Sequence, residues 1–388
     1  MLLNKLRVLR RRSQIAAVRL WQHAAVRQRS LAVPLENPRA LLVQNISGIG
    51  NALMATPLLA ELRRLYPEAQ IDFLTTPAAA ALLAGNPHAS RIIPDASVGK
   101  KGRREWWRVV RFLREARYDA TFVTLTAIDF EYVVRVPLAA IRTAAIHQYE
   151  LHAYNDFTCL FSHRVPFDQT RHDVESNLDL LRALTTETVQ AGRLVLTLPQ
   201  EALKAARDAL GATGMSGAGQ AVVFCPGSTA RWSHKRWPRE SYLQLIGNLL
   251  ANHINLHILV LCGPDEMDDA EYFKAELRDR RAAVLSGLPL LTYAGILDSA
   301  TVVVSGDSLP VHVRAAFQKP LVALFGPTDP RRTGPWQCLS TVLTPKCDYI
   351  PYYRVPYPPD PATFPPCMPL LPVEEVEAAV EGYLAQRS

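Results

Sequence analysis

The chain has 388 residues, 48% of them hydrophobic and 20% charged, and a net charge of +7. That length suits two domains with separate cores, and the composition excludes a disordered or fibrous protein. The positive balance is local: residues 1–30 hold eight Lys or Arg and no acid. The remaining 35 basic and 36 acidic residues nearly cancel, which excludes a broad basic face for nucleic acid.

In chain order, residues 1–33 form a basic extension in which Leu, Ile, Val and Trp21 alternate with arginines at helical spacing. Two readings stand side by side: a helix lying apolar face down on an anionic membrane, or a disordered basic extension or mis-called start. After a short Pro34–Pro38 linker, Ala40–Val43 reads as a strand, residues 44–51 as a turn containing Gly48 and Gly50, Ala52–Tyr66 as a helix with Pro57 as a local irregularity, and Ile71–Leu74 as the next strand. This opens a Rossmann-like domain, but without GxGxxG or the downstream acid that binds a ribose of NAD, so a nicotinamide dehydrogenase is not supported. The basic patch Lys100, Lys101, Arg103, Arg104 precedes Trp106-Trp107 and a helix to Ala116; it is either an anion site or a solvated helix start. Tyr118–Leu125 is a strand. Residues 127–165 resist parsing, and Asp129, Glu131, His147 and His152 have no readable partners there. His172 stands before a helix and reads as a cap.

From about Thr185 the α/β rhythm restarts in a second domain, 185–372, ahead of a closing helix at 373–388. Ala221–Phe224 is a strand followed by Cys225-Pro226-Gly227-Ser228-Thr229, and Pro238 suits the first turn of a helix to Asn252. Leu256–Leu261 is a strand ending at Gly263-Pro264-Asp265-Glu266. Ala282–Ser286 is a strand and Leu290–Ala300 a helix. Thr301–Val304 breaks at Ser305-Gly306-Asp307-Ser308, a helix runs to Phe317, and Leu321–Phe325 ends at Gly326-Pro327-Thr328-Asp329. Strand, small polar turn, helix and strand make the unit of a parallel sheet. A turn at a helix N-terminus favours an anion, and ligands of such sheets sit at the carboxyl ends of strands. Ser228, Thr229, Glu266, Asp307, Ser308 and residues 326–328 fall at those ends and suit a phosphorylated ligand with a ribose. The Pro- and Tyr-rich stretch 344–372 is expected to wrap the surface. The six cysteines show no CxxC spacing, which argues against zinc and for a reducing compartment; Cys225 and Cys262, inside apolar runs, read as buried thiols. No apolar run reaches the roughly 18 residues of a membrane span, and the N-terminus lacks the apolar core of a signal peptide.

Five segments taken in order, ISGIGNALMATPLLAELRRLYPEAQIDFL, PGSTARWSHKRWP, CGPDE, VVSGDSLPVHVRAA and LVALFGPTDPRRTGPW, resemble glycosyltransferase family 9, the bacterial lipopolysaccharide heptosyltransferases. The resemblance spans roughly residues 38–385 and leaves the basic extension outside. It implies an α/β protein of GT-B fold, with two Rossmann-like domains whose parallel sheets face across a cleft. A nucleotide-diphosphate sugar, typically ADP-heptose, would bind the C-terminal domain, and a lipid-linked saccharide the N-terminal one. Transfer would invert the anomeric centre with no metal and no cofactor, in the cytoplasm at the inner-membrane surface. The chain contains no Asp-x-Asp, in keeping with diphosphate charge being met by Lys235. Ser228 and Thr229 would offer hydroxyls, Asp307 and Ser308 backbone N–H groups, and His312 keeps the motif. Glu266 would accept from ribose hydroxyls, or else merely cap a helix. Gly48 and Gly50 would lie on the acceptor side.

Two positions depart from the family. Asn51 stands where an Asp is the presumed base, and an amide does not titrate usefully; Asp129 or another carboxylate is left to take that role. Leu309 stands where the family has Gly, and a branched side chain disfavours positive φ and close diphosphate approach. These departures keep open a competing reading, a non-catalytic relative that binds sugar nucleotide or glycan.

Overall fold

The structure is a computed structural model and describes residues 13–18, 20, 34–98, 103–124, 130–139, 143–148, 158–214, 219–228, 230–347 and 366–386. The chain divides into two compact units, Met1–Val195 and Leu196–Ser388.

The first unit is built on six parallel strands: β1 (Ala40–Asn45), β2 (Gln70–Thr75), β3 (Arg91–Pro94), β4 (Ala120–Val123), β5 (Thr143–Gln148) and β6 (His163–Pro166), in the order β3-β2-β1-β4-β5-β6. The apolar run of β1 is buried from Leu41 onward, as a central strand covered on both faces requires. The order reverses between β1 and β4. Their carboxyl ends therefore flank the crevice where open α/β sheets bind ligands.

The second unit repeats the plan with β7 (Ala221–Cys225), β8 (His257–Cys262), β9 (Ala282–Ser286), β10 (Val302–Gly306), β11 (Leu321–Leu324) and β12 (Ser340–Leu343), all parallel, in the order β12-β11-β10-β7-β8-β9. Here the crevice lies between β7 and β10. The closing helix Val373–Ala385 turns Val376, Val380 and Leu384 into a core shared with Val222, Val304 and Leu324. Cys225 and Cys262 are buried, and burial pushes the Cys262 thiol up to about 12. Among the described residues no helix is long and apolar enough to cross a membrane.

Several expectations are corrected. The single helix over 52–66 is two helices, Ile49–Met54 and Thr56–Leu65. Pro57 has no N–H to continue the first helix and takes the first turn of the second. The stretch that resisted parsing holds β5 and β6, whose short apolar runs lack flanking turn signals. Its Asp129 and His152 lie outside the described residues. The end of the Pro- and Tyr-rich stretch 344–372 does not simply wrap the surface: Cys367, Met368 and Leu371 are buried while Leu370 is exposed, and Trp237, itself buried, donates Nε1 to the Leu371 carbonyl at 3.0 Å. Gly326 is needed for this seat, because a Cβ there would stand 2.3 Å from the Met368 sulfur.

Residues 185–195 belong to the first unit. Gln190 N donates to Glu61 Oε1 (2.7 Å) and Val195 N to Thr56 Oγ1 (2.9 Å). The N-terminal helical residues 13–18 are also part of that unit, since Ile15 and Val18 are buried in the core with Val133, Val136 and Phe161. Ile15 and Val18 face protein, so the lipid-facing reading does not hold for those two positions, while Ala16, Ala17 and Leu20 are exposed.

Candidate nucleotide-sugar site

The carboxyl end of β10 runs into Asp307 and Ser308, and the helix Leu309–Phe317 starts there. Ser308 is the N-cap with extended backbone (φ −154°, ψ −176°) and makes no side-chain capping bond. Its hydroxyl instead lies 3.3 Å from the Gly306 carbonyl and 3.4 Å from Ser305 Oγ. Leu309 is the first helical residue and is not in the positive-φ region, so the expected penalty for a branched side chain does not arise.

Asp307 is the centre of the arrangement. Its Oδ2 accepts from Lys235 Nζ at 2.6 Å and from Thr328 Oγ1 at 2.6 Å, drawing together the turns after β7, β10 and β11. The ion pair is well shielded, with side-chain exposures of 14% for Lys235 and 7% for Asp307. Burial works to raise the Asp307 carboxyl, but Lys235, Thr328 and nearby His312 outweigh it and hold the group below the usual carboxylate range. Asp307 is therefore an anion at neutral pH and anchors a cation. The Trp232 ring lies 4.7 Å from Lys235 Nζ, a cation–π contact on a second side. An ammonium has three N–H donors. One goes to Asp307, and the others can serve an incoming oxyanion.

Behind the turn, the helix Leu309–Phe317 is fixed by Arg314, which is fully buried. Its guanidinium donates to the carbonyls of Leu297, Ala300, Thr301 and Pro320 at 2.5–3.4 Å. A rigid planar fork suits such a ring of acceptors.

The turn after β7 is closed by its own groups. Ser228 Oγ donates to the Trp232 carbonyl at 2.9 Å, so its proton is committed within the loop. Arg236 ties this loop to the next one, donating to the Ser228 carbonyl and pairing with Asp269 at 2.8 Å. Thr229 lies outside the described residues. Glu266 ends a short 3-10 turn, Pro264–Glu266, and its Oε2 accepts from Gly263 N at 2.7 Å, which is the capping interaction. Burial pushes its carboxyl up, against the downward pull of that N–H and of Arg236. The side chain lies over Gly227, where a Cβ would stand 1.7 Å from the Glu266 carboxyl carbon. Gly227 thus leaves room for an acid above the end of β7. Trp232 and Arg236 were not singled out from sequence. The quoted stretch around Lys235 contains both, but nothing in its spacing says that an indole packs on the lysine.

The matching strand ends of the first unit carry amides and hydroxyls. Asn45 Nδ2 donates to Thr124 Oγ1 at 2.8 Å, bridging β1 to the end of β4, and Ser47 Oγ donates to Asn45 Oδ1 at 3.0 Å. Gly48 caps the helix Ile49–Met54, which has no acid in its first turn. Asn51 is half-buried, and its amide nitrogen lies 4.0 Å from where a Gly48 Cβ would be. Neither Gly48 nor Gly50 has positive φ. This helix is held from behind by Asn177, whose Nδ2 donates to the Met54 carbonyl at 3.1 Å. His147 is buried on β5, with Nε2–H donating to the Ser176 carbonyl at 2.9 Å, and His172 accepts from Val174 N as a cap. The structure does not bring either histidine into the crevice chemistry.

This geometry meets independent similarity. The model of glycosyltransferase family 9 (heptosyltransferase) matches residues 106–348. Lipopolysaccharide heptosyltransferase 3 of Escherichia coli is 26% identical over 294 residues, covering 74% of this chain and 83% of that protein. Lipopolysaccharide heptosyltransferase 2 of E. coli K12 is 27% identical over 317 residues, covering 78% and 87%. Among solved structures, a family 9 glycosyl transferase from Veillonella parvula superposes with a TM-score of 0.74 at 19% identity, covering 90% of this chain and 97% of that one. E. coli ADP-heptose heptosyltransferase II gives 0.70 at 20% identity, covering 90% and 99%. The twin six-stranded parallel sheets are thus those of the GT-B fold. With a family model spanning well over half of its length, the chain belongs to glycosyltransferase family 9.

Proposed function

We propose that this glycosyltransferase moves a heptose from ADP-heptose onto the core of a lipopolysaccharide, inverting the anomeric centre and without a metal ion. The observation that carries the reading is Lys235, clamped between the Asp307 carboxylate and the Trp232 ring at the carboxyl ends of β7 and β10. In the transfer, an acceptor hydroxyl oxygen forms a bond to the anomeric carbon while the bond from that carbon to the diphosphate oxygen breaks. The bonding pair leaves with the diphosphate, so negative charge grows on its oxygen. An ammonium already fixed beside that oxygen stabilises this charge without reorganising. Glu266, over Gly227, would accept from the ribose hydroxyls at the neighbouring strand end through the carboxylate capacity left beside its bond to Gly263 N.

The lipopolysaccharide heptosyltransferases named above support the acceptor class, and a solved E. coli relative in complex with an ADP-2-deoxy-2-fluoro heptose supports the donor. The proton of the acceptor hydroxyl passes to a carboxylate, Asp129 being the candidate from sequence, rather than to Asn51, whose amide is suited to orient the acceptor. The test is calorimetry of the purified protein with ADP-heptose, UDP- and GDP-sugars, repeated with and without chelator. Micromolar binding of ADP-heptose alone, unaffected by chelator and followed by turnover, is the expected result. Selective binding of another sugar nucleotide would overturn the donor. Binding without turnover on any core saccharide would favour the non-catalytic relative.

A further inference from the structure

The helix Arg103–Ala116 has two faces of different character. Val110 and Leu113 are buried, and Trp106, Val109 and Phe112 pack half-buried against the core of the first unit. The opposite face shows Arg104, Trp107, Arg108, Arg111 and Arg114, all exposed, at spacings of three and four residues, so they form one stripe. Trp107 is 54% exposed, an unusual place for a large indole, and stands edge-on to Trp106 with ring centroids 4.9 Å apart. Arg104, Trp107, Arg108 and Arg111 together line a shallow groove. The helix has five arginines and two glutamates, a net +3 (5 − 2). Each glutamate is paired within the helix, Glu105 to Arg108 at 2.5 Å and Glu115 to Arg111 at 3.7 Å. Sequence adds Lys100 and Lys101 just upstream.

We infer that this face is a docking surface for a bilayer rich in anionic phospholipid. The inference rests on the proposed lipid-linked acceptor for its biological sense, but not for its chemistry. An amphipathic indole at the centre of an arginine stripe is the pattern of a peripheral membrane helix: the ring enters the headgroup boundary and the guanidinium forks pair with lipid phosphates. Each basic residue near an anionic surface adds attraction that salt weakens. Nucleic acid fits less well, because the stripe is one helix face with a single exposed ring and the rest of the body is electrically balanced. The N-terminal helix does not supply this surface through Ile15 and Val18, which are buried in the core.

The experiment is co-sedimentation of the full chain with vesicles of phosphatidylglycerol and phosphatidylethanolamine, against pure phosphatidylcholine, at low and high salt. Wild type is expected to bind only the anionic vesicles and to release them in high salt. The triple variant R104Q/R108Q/R111Q should bind about a hundredfold more weakly, with unchanged circular dichroism and unchanged turnover on a delipidated core saccharide. As a check that needs no loss of charge, brominated lipid should quench wild-type fluorescence more than that of Trp107→Phe. Equal vesicle binding by wild type and the triple variant, or equal quenching with and without Trp107, overturns the inference. So does tight binding of a single-stranded oligonucleotide in place of vesicles. Failure of ADP-heptose to bind in calorimetry would remove the donor reading and leave this result untouched.

Discussion

The two strand-end crevices share a backbone plan and differ in what fills them. Both lie where a parallel sheet reverses its order, between β1 and β4 in one unit and between β7 and β10 in the other. The first carries amides and hydroxyls, Asn45, Thr124 and Asn51. The second carries an ion pair stacked on an indole, Lys235, Asp307 and Trp232. Topology therefore sets where a ligand sits, and side chains set which charge it has. The supports differ in their partners: Asn177 and His147 make neutral bonds behind the first, and each unit buries a guanidinium, Arg135 paired with the Asp95 carboxylate in the first and Arg314 bonded to backbone carbonyls in the second.

That contrast can be broken from its supports inward. Arg314→Ala should have the largest effect, a loss of about 3–5 kcal/mol of stability, because it leaves a cavity and unpaired buried carbonyls; urea unfolding of the two proteins measures it. Lys235→Ala should lower turnover by a hundredfold or more, about 3 kcal/mol of transition-state stabilisation, with the fold intact. Steady-state kinetics would remove Lys235 from the mechanism if kcat were unchanged. Asp307→Asn should weaken the same step less, and the double variant should not be additive, since one residue acts through the other.

The support of the first crevice has a pH signature. Burial lowers the His147 pKa from 6.5 to about 4, against the opposing pull of the Ser176 carbonyl. Between those values the unfolded chain binds a proton that the native state does not, so stability falls as pH drops through the window, by at most about 3 kcal/mol. His147→Gln should flatten that part of the curve in denaturant titrations from pH 7 to 4. The pair in the other crevice behaves differently: with Asp307 held low, its contribution is present above the ordinary carboxylate range and is lost only as pH falls through the lowered value. The smallest change is expected from Asn51→Asp, a rise in turnover within about tenfold if the position is a weakened base. A fall would show that the amide orients the acceptor.

Much of this was legible in advance. The strands β1, β2, β4, β7, β8, β9, β10 and β11 announce themselves as apolar runs broken by small polar turns, and the family follows from five ordered segments. Strands β3, β5, β6 and β12 do not, because their runs are short and the tertiary sheet, rather than local preference, makes them strands. Likewise, the break at Ala55 is a local consequence of Pro57, whereas the burial of Met368 against Gly326 depends on a partner some forty residues away.

By itself, the amino-acid pattern determined the doubled parallel architecture and the strand ends that carry Ser228, Glu266, Asp307 and Thr328, since periodicity and turn chemistry are properties of neighbouring residues. Only the tertiary structure decided that Asp307 holds Lys235, that Trp232 covers it, that Ser228 turns its proton to its own loop, and that Ile15 and Val18 face protein. Each of those is a contact between groups whose distance in space is set by the packing of whole elements, and no local spacing encodes it.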